Sequence, residues 1–510
     1  MGIKIVVRFA AFTRVLTLLL QAVFNAVIPD HPADAFSPPR LEDPLLLDGL
    51  VETLFGGLSR WDAEHFLFIA ERGYLYEHNF AFFPLFPVTL RTLASVLLWP
   101  LAGMLTARGR LLLAVVLANF AFSVIAAVAL YRLGCLVLGE RRLALLSSLL
   151  FCLSPANVFL AAGYSESLFA VLTFSGLWML EGGRPFTASV LLGLATATRA
   201  NGLVNVGFLL YLPLQRGLVQ AIAVSKGAGG LSRSHHYISI SLRFLFTATL
   251  GSAIIVIPFA AFQYYGYQTF CTPSLLPDTV SSALLDLARV KGYRIPDTKG
   301  LSPGWCSSRP PLLYSYIQDV YWDVGFLRYF QLKQVPNFLL ALPMATLGVA
   351  AIKSFISANQ DLCLRLGLWG DQLKPQTNIP SGYHNPKVFV YMVHLTVLLG
   401  FGVFCMHVQV LTRFLASSSP VIYWFSAHLL LCYEPLLQED GSSPDGGRQD
   451  RTDRHPRLLT ADSRVLPHNL LTCLLFHWRT YSPISRWVLG YFISYWLIGL
   501  ALHCNFLPWT

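Results

Sequence analysis

Apolar residues run in long blocks along this chain, and polar positions fall mostly between the blocks rather than inside them. A helix needs about 20 mostly apolar residues to cross the hydrocarbon of a bilayer. Such runs lie near residues 9–28, 84–105, 111–133, 143–162, 165–181, 186–213, 243–263, 336–358, 388–408 and 484–506, which predicts about ten membrane-spanning helices. Shorter apolar stretches at 414–437 and 466–478 fit further spans, re-entrant pieces or surface helices equally well. Between the first two runs the pattern changes. Asp48 to Leu58 spaces Leu50, Val51, Leu54, Phe55 and Leu58 on one helical face, which predicts a helix lying in the membrane interface. A second short helix is predicted from Ala63 to Glu71, with Phe66 and Ile69 turned inward and a turn at Arg72-Gly73.

Composition points the same way. Of 510 residues, 55% are hydrophobic and only 13% charged, with a mean hydropathy of +0.55. Soluble chains carry roughly a quarter charged residues. The fold class predicted is therefore an all-α, multi-pass membrane protein.

Charge sets the expected orientation. Lys4, Arg8 and Arg14 accompany the first apolar run, which reads as an uncleaved anchor with its N-terminus in the cytosol. Pro29 to Phe83 holds ten acids against Arg40, Arg60 and Arg72, and belongs on the opposite side. Leu214 to Leu242 contains Arg216, Lys226 and Arg233 and no acid, and reads as a cytosolic loop. Arg141 and Arg142 run against this count, on a short connection that it places outside. The net charge of +10 lies on no soluble basic face with interleaved aromatics, so nucleic acid is not an expected partner.

The organisation expected is a polytopic domain over 1–437, with outer loops at 29–83, 264–335 and 409–437. A disordered insertion at 438–466 and C-terminal membrane segments at 467–510 follow. The stretch from Gln438 to Pro456 is rich in Gly, Asp and Arg and lacks apolar periodicity. Nine cysteines form no C-x-x-C pair, and Cys271 and Cys306 share one outer loop where a disulfide could form if that side is oxidising.

The candidate chemistry concentrates between Ser59 and Pro87, SRWDAEHFLFIAERGYLYEHNFAFFPLFP. Asp62, flanked by Trp61, Glu64 and His65, is the leading general base. Glycosyl transfer with inversion needs one carboxylate to take the acceptor's proton as the sugar leaves its phosphate. The competing reading is a helix cap, worth about 1 kcal/mol. Glu77, His78 and Asn79 could bind sugar hydroxyls or a donor phosphate, or simply form a polar turn. Glu166, in GYSESLF, and Arg199, in TATRANG, interrupt apolar sequence, where charge is costly. Arg199 fits phosphate binding or an ion pair. Arg413, in HVQVLTRF, could hold a leaving phosphate or reach the interface as a snorkelling side chain. No D-x-D occurs, which argues against a metal-held nucleotide donor, and no metal site is expected.

These blocks carry a resemblance. RWDAEHFLFIAERGYLYEHNFAFFPLFP, SPANVFLAAGYSESLF, TATRANG, YWDVGFLRYF with KQVPNFLLALP, and HVQVLTRFLASSSPVIYW resemble, in order, the GPI mannosyltransferase 2 family, PIG-V in animals. The insertion at 438–456 looks less like the family core. The resemblance implies a GT-C type glycosyltransferase of the endoplasmic reticulum membrane, with its active site luminal. It implies transfer of the second mannose, α-1,6, from dolichyl-phosphate mannose to the GPI-anchor precursor. A β-linked donor and an α product make the reaction inverting, with Asp62 as base and no cofactor. Its partners would be two lipids, with room for a small membrane partner subunit. The alternatives are another dolichyl-phosphate-sugar transferase of N-glycan assembly, a lipid or sugar transporter, and a non-catalytic assembly subunit.

Overall fold

The computed structural model describes residues 2–227, 230–272, 280–296, 303–368, 380–434, 437, 469–507 and 509. The insertion expected at 438–466 lies outside the described residues. Among the described residues every regular element is helical. In chain order these are α1 (Gly2–Val27), α2 (Asp48–Phe55), α3 (Asp62–Arg72), α4 (Leu85–Thr92), α5 (Ala107–Val137), α6 (Arg141–Cys152) and α7 (Glu166–Glu181). Next come α8 (Pro185–Thr198), α9 (Val206–Gly227), α10 (Gly230–Cys271), α11 (Ser282–Lys291), α12 (Leu313–Val320) and α13 (Val335–Ala358). The last are α14 (Gln360–Leu364), α15 (Phe389–Phe404), α16 (Leu411–Ser418), α17 (Val421–Tyr433), α18 (Leu470–Phe476) and α19 (Pro483–Cys504).

Six stretches of these described residues are long and apolar enough to cross a membrane: Ala107–Val137, Ala200–Ser225, Arg233–Cys271, Leu332–Ala358, Pro386–Phe404 and Pro483–Cys504. The pair Val408–Ser418 and Val421–Tyr433, bent by 82°, makes a seventh if it counts as one span. The run at 9–28 lies within the 26-residue α1, and three of the other predicted runs behave differently. The run at 84–105 breaks after α4 into a π turn at Leu93–Leu97 and a 3-10 turn at Trp99–Leu101. Those at 143–162 and 165–181 become α6 and α7, of 12 and 16 residues, whose side chains are largely buried in protein. Hydropathy does not distinguish a helix buried among helices from one facing lipid. The loop expected at 214–242 is largely helical, formed by the end of α9 and the start of α10.

The two short helices predicted before the second run are present. α2 turns Val51 inward, and α3 buries Phe66, Leu67 and Ile69. A close approach ties α3 to the turn before α7. Gly163 donates its N–H to the Leu58 carbonyl at 2.9 Å, and a Cβ on Gly163 would sit 3.0 Å from that of Ala63. A side chain there would push Tyr164 and α7 away from the start of α3. On the same side, Cys271 and Cys306 form a disulfide that joins the end of α10 to the segment before α12.

Candidate active site

Asp62 is the first residue of α3, and the residue before it is unusual. Trp61 is a non-glycine residue at φ 56° and ψ −129°, a backbone state that persists only when the surroundings enforce it. No side chain caps this helix start, so Asp62 is not spent as a cap. Its backbone N–H, an orphan donor of the first turn, goes to the Tyr164 hydroxyl at 3.2 Å. The carboxylate is left to point elsewhere.

It points at Arg413. Nη2 of Arg413 lies 2.9 Å from Oδ2 of Asp62, and Nη1 lies 3.8 Å from Oε1 of Glu166. Nη1 of Arg199 is 2.5 Å from the same Glu166 oxygen. Charges therefore alternate along a row: Asp62, Arg413, Glu166, Arg199. Arg413 stands in the first turn of the short α16, which an 82° bend separates from α17. The guanidinium lies 5.3 Å from the ring centres of both Phe159 and Tyr164.

Arg199 was expected mid-span. It stands instead at a break, in extended conformation between α8 and the 3-10 turn Ala200–Asn205. Gly202 makes the break possible, because a Cβ there would come within 2.6 Å of the Thr196 backbone. Breaking the helix frees backbone and side chain to face a cavity rather than lipid.

Burial differs along the row. Side-chain exposure is 32% for Asp62, 15% for Arg413, 19% for Arg199 and 1% for Glu166. Glu166 holds the two arginines side by side from within, while Asp62 is the open end. Burial pushes the Asp62 carboxyl up, but Arg413, His65 and Arg199 together outweigh it and hold it below its ordinary value. Asp62 is an ionised carboxylate at neutral pH.

A cavity of about 450 Å³ runs past Asp62, Arg413 and Arg199, with Tyr164, Ser165 and Asn201 on its polar wall. Leu203, Val204, Val397, Leu398, Phe401 and Phe414 line its apolar side. Val397 and Phe401 are also about half exposed on α15, which belongs to one of the stretches long and apolar enough to cross a membrane. The arrangement offers one carboxylate to accept a proton, two guanidiniums to meet an oxyanion, and a greasy wall for a chain.

Four sequence-predicted residues, Asp62, Glu166, Arg199 and Arg413, thus meet, from four separate stretches of the chain. Of these, Asp62, Arg199 and Arg413 line the cavity, and the other predicted residues neither line it nor join the row. Trp61 turns its ring edge to Phe506 at 5.8 Å. Glu64 faces a second cavity of about 460 Å³ behind α3, paired with Arg108 and, at 3.7 Å, with Arg40. His65 is stacked between Phe36 and Phe82 at 4.3 and 4.6 Å, and burial lowers its pKa to about 4 despite the pull of Asp62.

Glu77 is fully buried and accepts from the Trp305 indole at 2.9 Å and the Tyr321 hydroxyl at 2.8 Å. His78 packs on Tyr293 at 4.3 Å and on His65 at 5.3 Å, and burial with that neighbour lowers it to about 3. Asn79 is fully buried beside them. The Glu77–Asn79 block thus clamps the loop that carries Trp305 and Tyr321. Tyr164 and Asn201 are the polar groups that sequence reasoning did not single out as ligands. Their neighbours Glu166 and Arg199 were the available signal.

Comparison with known proteins decides the family. The family model described as Mannosyltransferase (PIG-V) matches residues 3–510. The chain belongs to that family. It is accordingly a glycosyltransferase of the mannosyltransferase kind. It is 53% identical over 512 residues to "GPI alpha-1,6-mannosyltransferase 2" of Cricetulus griseus, covering 99% of this chain and 98% of that protein. The Homo sapiens protein of the same name is 53% identical over 509 residues, with the same coverage. "GPI mannosyltransferase 2" of Drosophila melanogaster is 31% identical over 436 residues, 83% of this chain and 90% of that protein. The archaeal oligosaccharyltransferase AglB from Archaeoglobus fulgidus superposes with a TM-score of 0.41 at 10% identity, over 96% of this chain and 56% of that one.

Proposed function

We propose that this protein transfers the second mannose, in α-1,6 linkage, from dolichyl-phosphate mannose to the GPI-anchor precursor. The reaction takes place on the luminal side of the endoplasmic reticulum, inverts the anomeric centre, and uses Asp62 as general base. The observation that carries this reading is one cavity in which Asp62, paired with Arg413, and Arg199 share a wall with apolar residues of a stretch long and apolar enough to cross a membrane. The relatives' printed names supply the sugar, linkage and anchor.

The chemistry follows from those groups. The acceptor hydroxyl attacks the anomeric carbon on the face opposite the phosphate. As the new C–O bond forms, the bond to phosphate breaks, and Asp62 takes the hydroxyl's proton. The departing dolichyl phosphate carries the electron pair, and its charge is met by the planar donor forks of Arg413 and Arg199. No cofactor or metal enters these steps. Arg413 serves both partners: as its donors turn to phosphate, its hold on Asp62 weakens and the carboxylate becomes the better base.

The Cys271–Cys306 disulfide supports a luminal loop, since such bonds persist on oxidising sides of membranes. A GT-C layout of about ten spans with a cytosolic N-terminus belongs to the same proposal. Complementation tests it. In cells lacking the second GPI mannosyltransferase, wild type should restore surface GPI-anchored proteins and Asp62→Asn, at equal protein level, should not. Failure of the wild type to restore them would overturn the assignment.

A further inference from the structure

Within the start of α3 the local bonds run from the Ala63 and Glu64 N–H groups to the Arg60 and Trp61 carbonyls, at 3.3 and 3.1 Å, and leave the Asp62 N–H to an outside partner. The residue opens its helix, its N–H has no intrahelical acceptor, and Trp61 before it is in a left-handed state. Several of the contacts that hold this stretch come from the other end of the chain. The Arg60 Nε donates to the Cys504 carbonyl at 3.4 Å, and its guanidinium lies 4.6 Å over the Phe506 ring. That same ring meets Trp61 edge-on at 5.8 Å. Phe506 is itself a non-glycine residue at φ 56°, which aims the ring back at α3. The His503 Nε2 is 3.4 Å from the Tyr164 hydroxyl, the group that accepts the Asp62 N–H. Asn505 accepts from the His31 N–H at 3.0 Å, next to Asp30, which pairs with Arg60 at 2.9 Å.

These contacts converge on three consecutive residues, Arg60, Trp61 and Asp62. Neither His503 nor Phe506 lines the cavity. We infer that His503–Phe506 is a positioning clasp for the catalytic carboxylate: Phe506 pins Arg60 and Trp61, and His503 fixes the Tyr164 hydroxyl that holds the Asp62 amide.

The geometry distinguishes the clasp from general packing. Tyr164 can accept from Asp62 and donate to His503 at once, so a neutral imidazole at 503 completes a directed chain from α19 to the base. Displacing a reacting group by about 1 Å costs on the order of 10²-fold in rate while leaving substrate affinity largely intact. Loosening the clasp should therefore lower kcat rather than raise KM.

The inference rests on Asp62 being the base, and the test separates the two. Full-length protein in lipid nanodiscs would be assayed for mannose transfer from dolichyl-phosphate mannose, comparing wild type, Asp62→Asn, His503→Ala, Phe506→Ala and Phe506→Tyr. The clasp predicts that His503→Ala and Phe506→Ala lower kcat by about 10- to 100-fold with donor KM nearly unchanged. Phe506→Tyr, which keeps the ring, should recover most of the rate. Hydrogen exchange should rise in the peptide spanning 58–66 and stay unchanged in α5 and α7. If Phe506→Ala does not fold, Phe506→Leu, which keeps volume and loses the ring, carries the same prediction. Full activity of His503→Ala and Phe506→Ala beside an inactive Asp62→Asn would overturn the clasp and leave the base standing. Equal losses in KM, or no recovery in Phe506→Tyr, would also overturn it. An active Asp62→Asn would remove the base, and with it the reason for a clasp.

Discussion

The guanidinium of Arg413 lies 2.9 Å from the carboxylate of Asp62, so the cation best placed for a departing phosphate is also the group that keeps the base ionised. Burial alone would push that carboxyl up, and Arg413 is the largest influence holding it down. The pair is thus a coupled device rather than two independent residues.

Removing the guanidinium should show both roles. Arg413→Gln is expected to lower kcat by about 10²- to 10³-fold, the usual effect of losing one donor to a developing oxyanion. It should also move the acid limb of kcat/KM to higher pH, because burial then dominates the Asp62 pKa. Arg413→Lys keeps charge but not the fork, and should restore the limb more fully than the rate. A pH–rate profile for each variant checks this.

Glu166 acts on stability first. It is 1% exposed and lies between Arg199 and Arg413, so Glu166→Gln would strip Arg199 of its counter-charge and leave it beside Arg413, whose remaining partner is Asp62. Breaking a buried pair in this way costs about 3–5 kcal/mol. Thermal unfolding of the purified protein should show a large loss, with the folded yield reduced to match.

His78 should make the packing around α3 acid-sensitive. Its pKa falls from 6.5 to about 3 on folding, through burial and the nearby His65. Between those values the unfolded chain binds the extra proton, so the stabilisation is complete above the upper value and is lost as pH falls through the window. At pH 5 the loss is about 2 kcal/mol. Melting curves at pH 7 and pH 5 should differ less in His78→Phe than in wild type.

Glu77 should separate structure from catalysis. Glu77→Ala leaves the Trp305 indole and the Tyr321 hydroxyl without their acceptor, at about 1–3 kcal/mol each. Stability should fall while kcat of the folded fraction is unchanged. A kcat loss in a fully folded Glu77→Gln protein would return this residue to the site.

How much of this was legible depended on distance along the chain. The start of α3 was legible because Trp61, Asp62, Glu64 and His65 crowd against apolar sequence, and the helix that follows has a clear apolar face. Glu166, Arg199 and Arg413 stood out as charges in apolar surroundings, where each needs a partner. That they partner one another was not legible, since pairing between Glu166 and Arg199, well apart in the chain, and between either of Glu166 and Asp62 and the far more distant Arg413, is a property of the packed fold. Glu77 shows the converse. Its polarity suggested a ligand, but its partners come from a loop 228 and 244 residues away. The place of α6 and α7 was not legible either, since a short helix that is apolar because it is buried among helices reads in sequence like a span.

The central claim is that Asp62 takes the acceptor's proton. Single-turnover mannose transfer with wild type and Asp62→Asn, matched for folded protein and with donor binding measured separately, tests it most directly. The account predicts that Asp62→Asn binds donor with little change and transfers mannose at least about 10²-fold more slowly. Transfer at the wild-type rate by Asp62→Asn would contradict it.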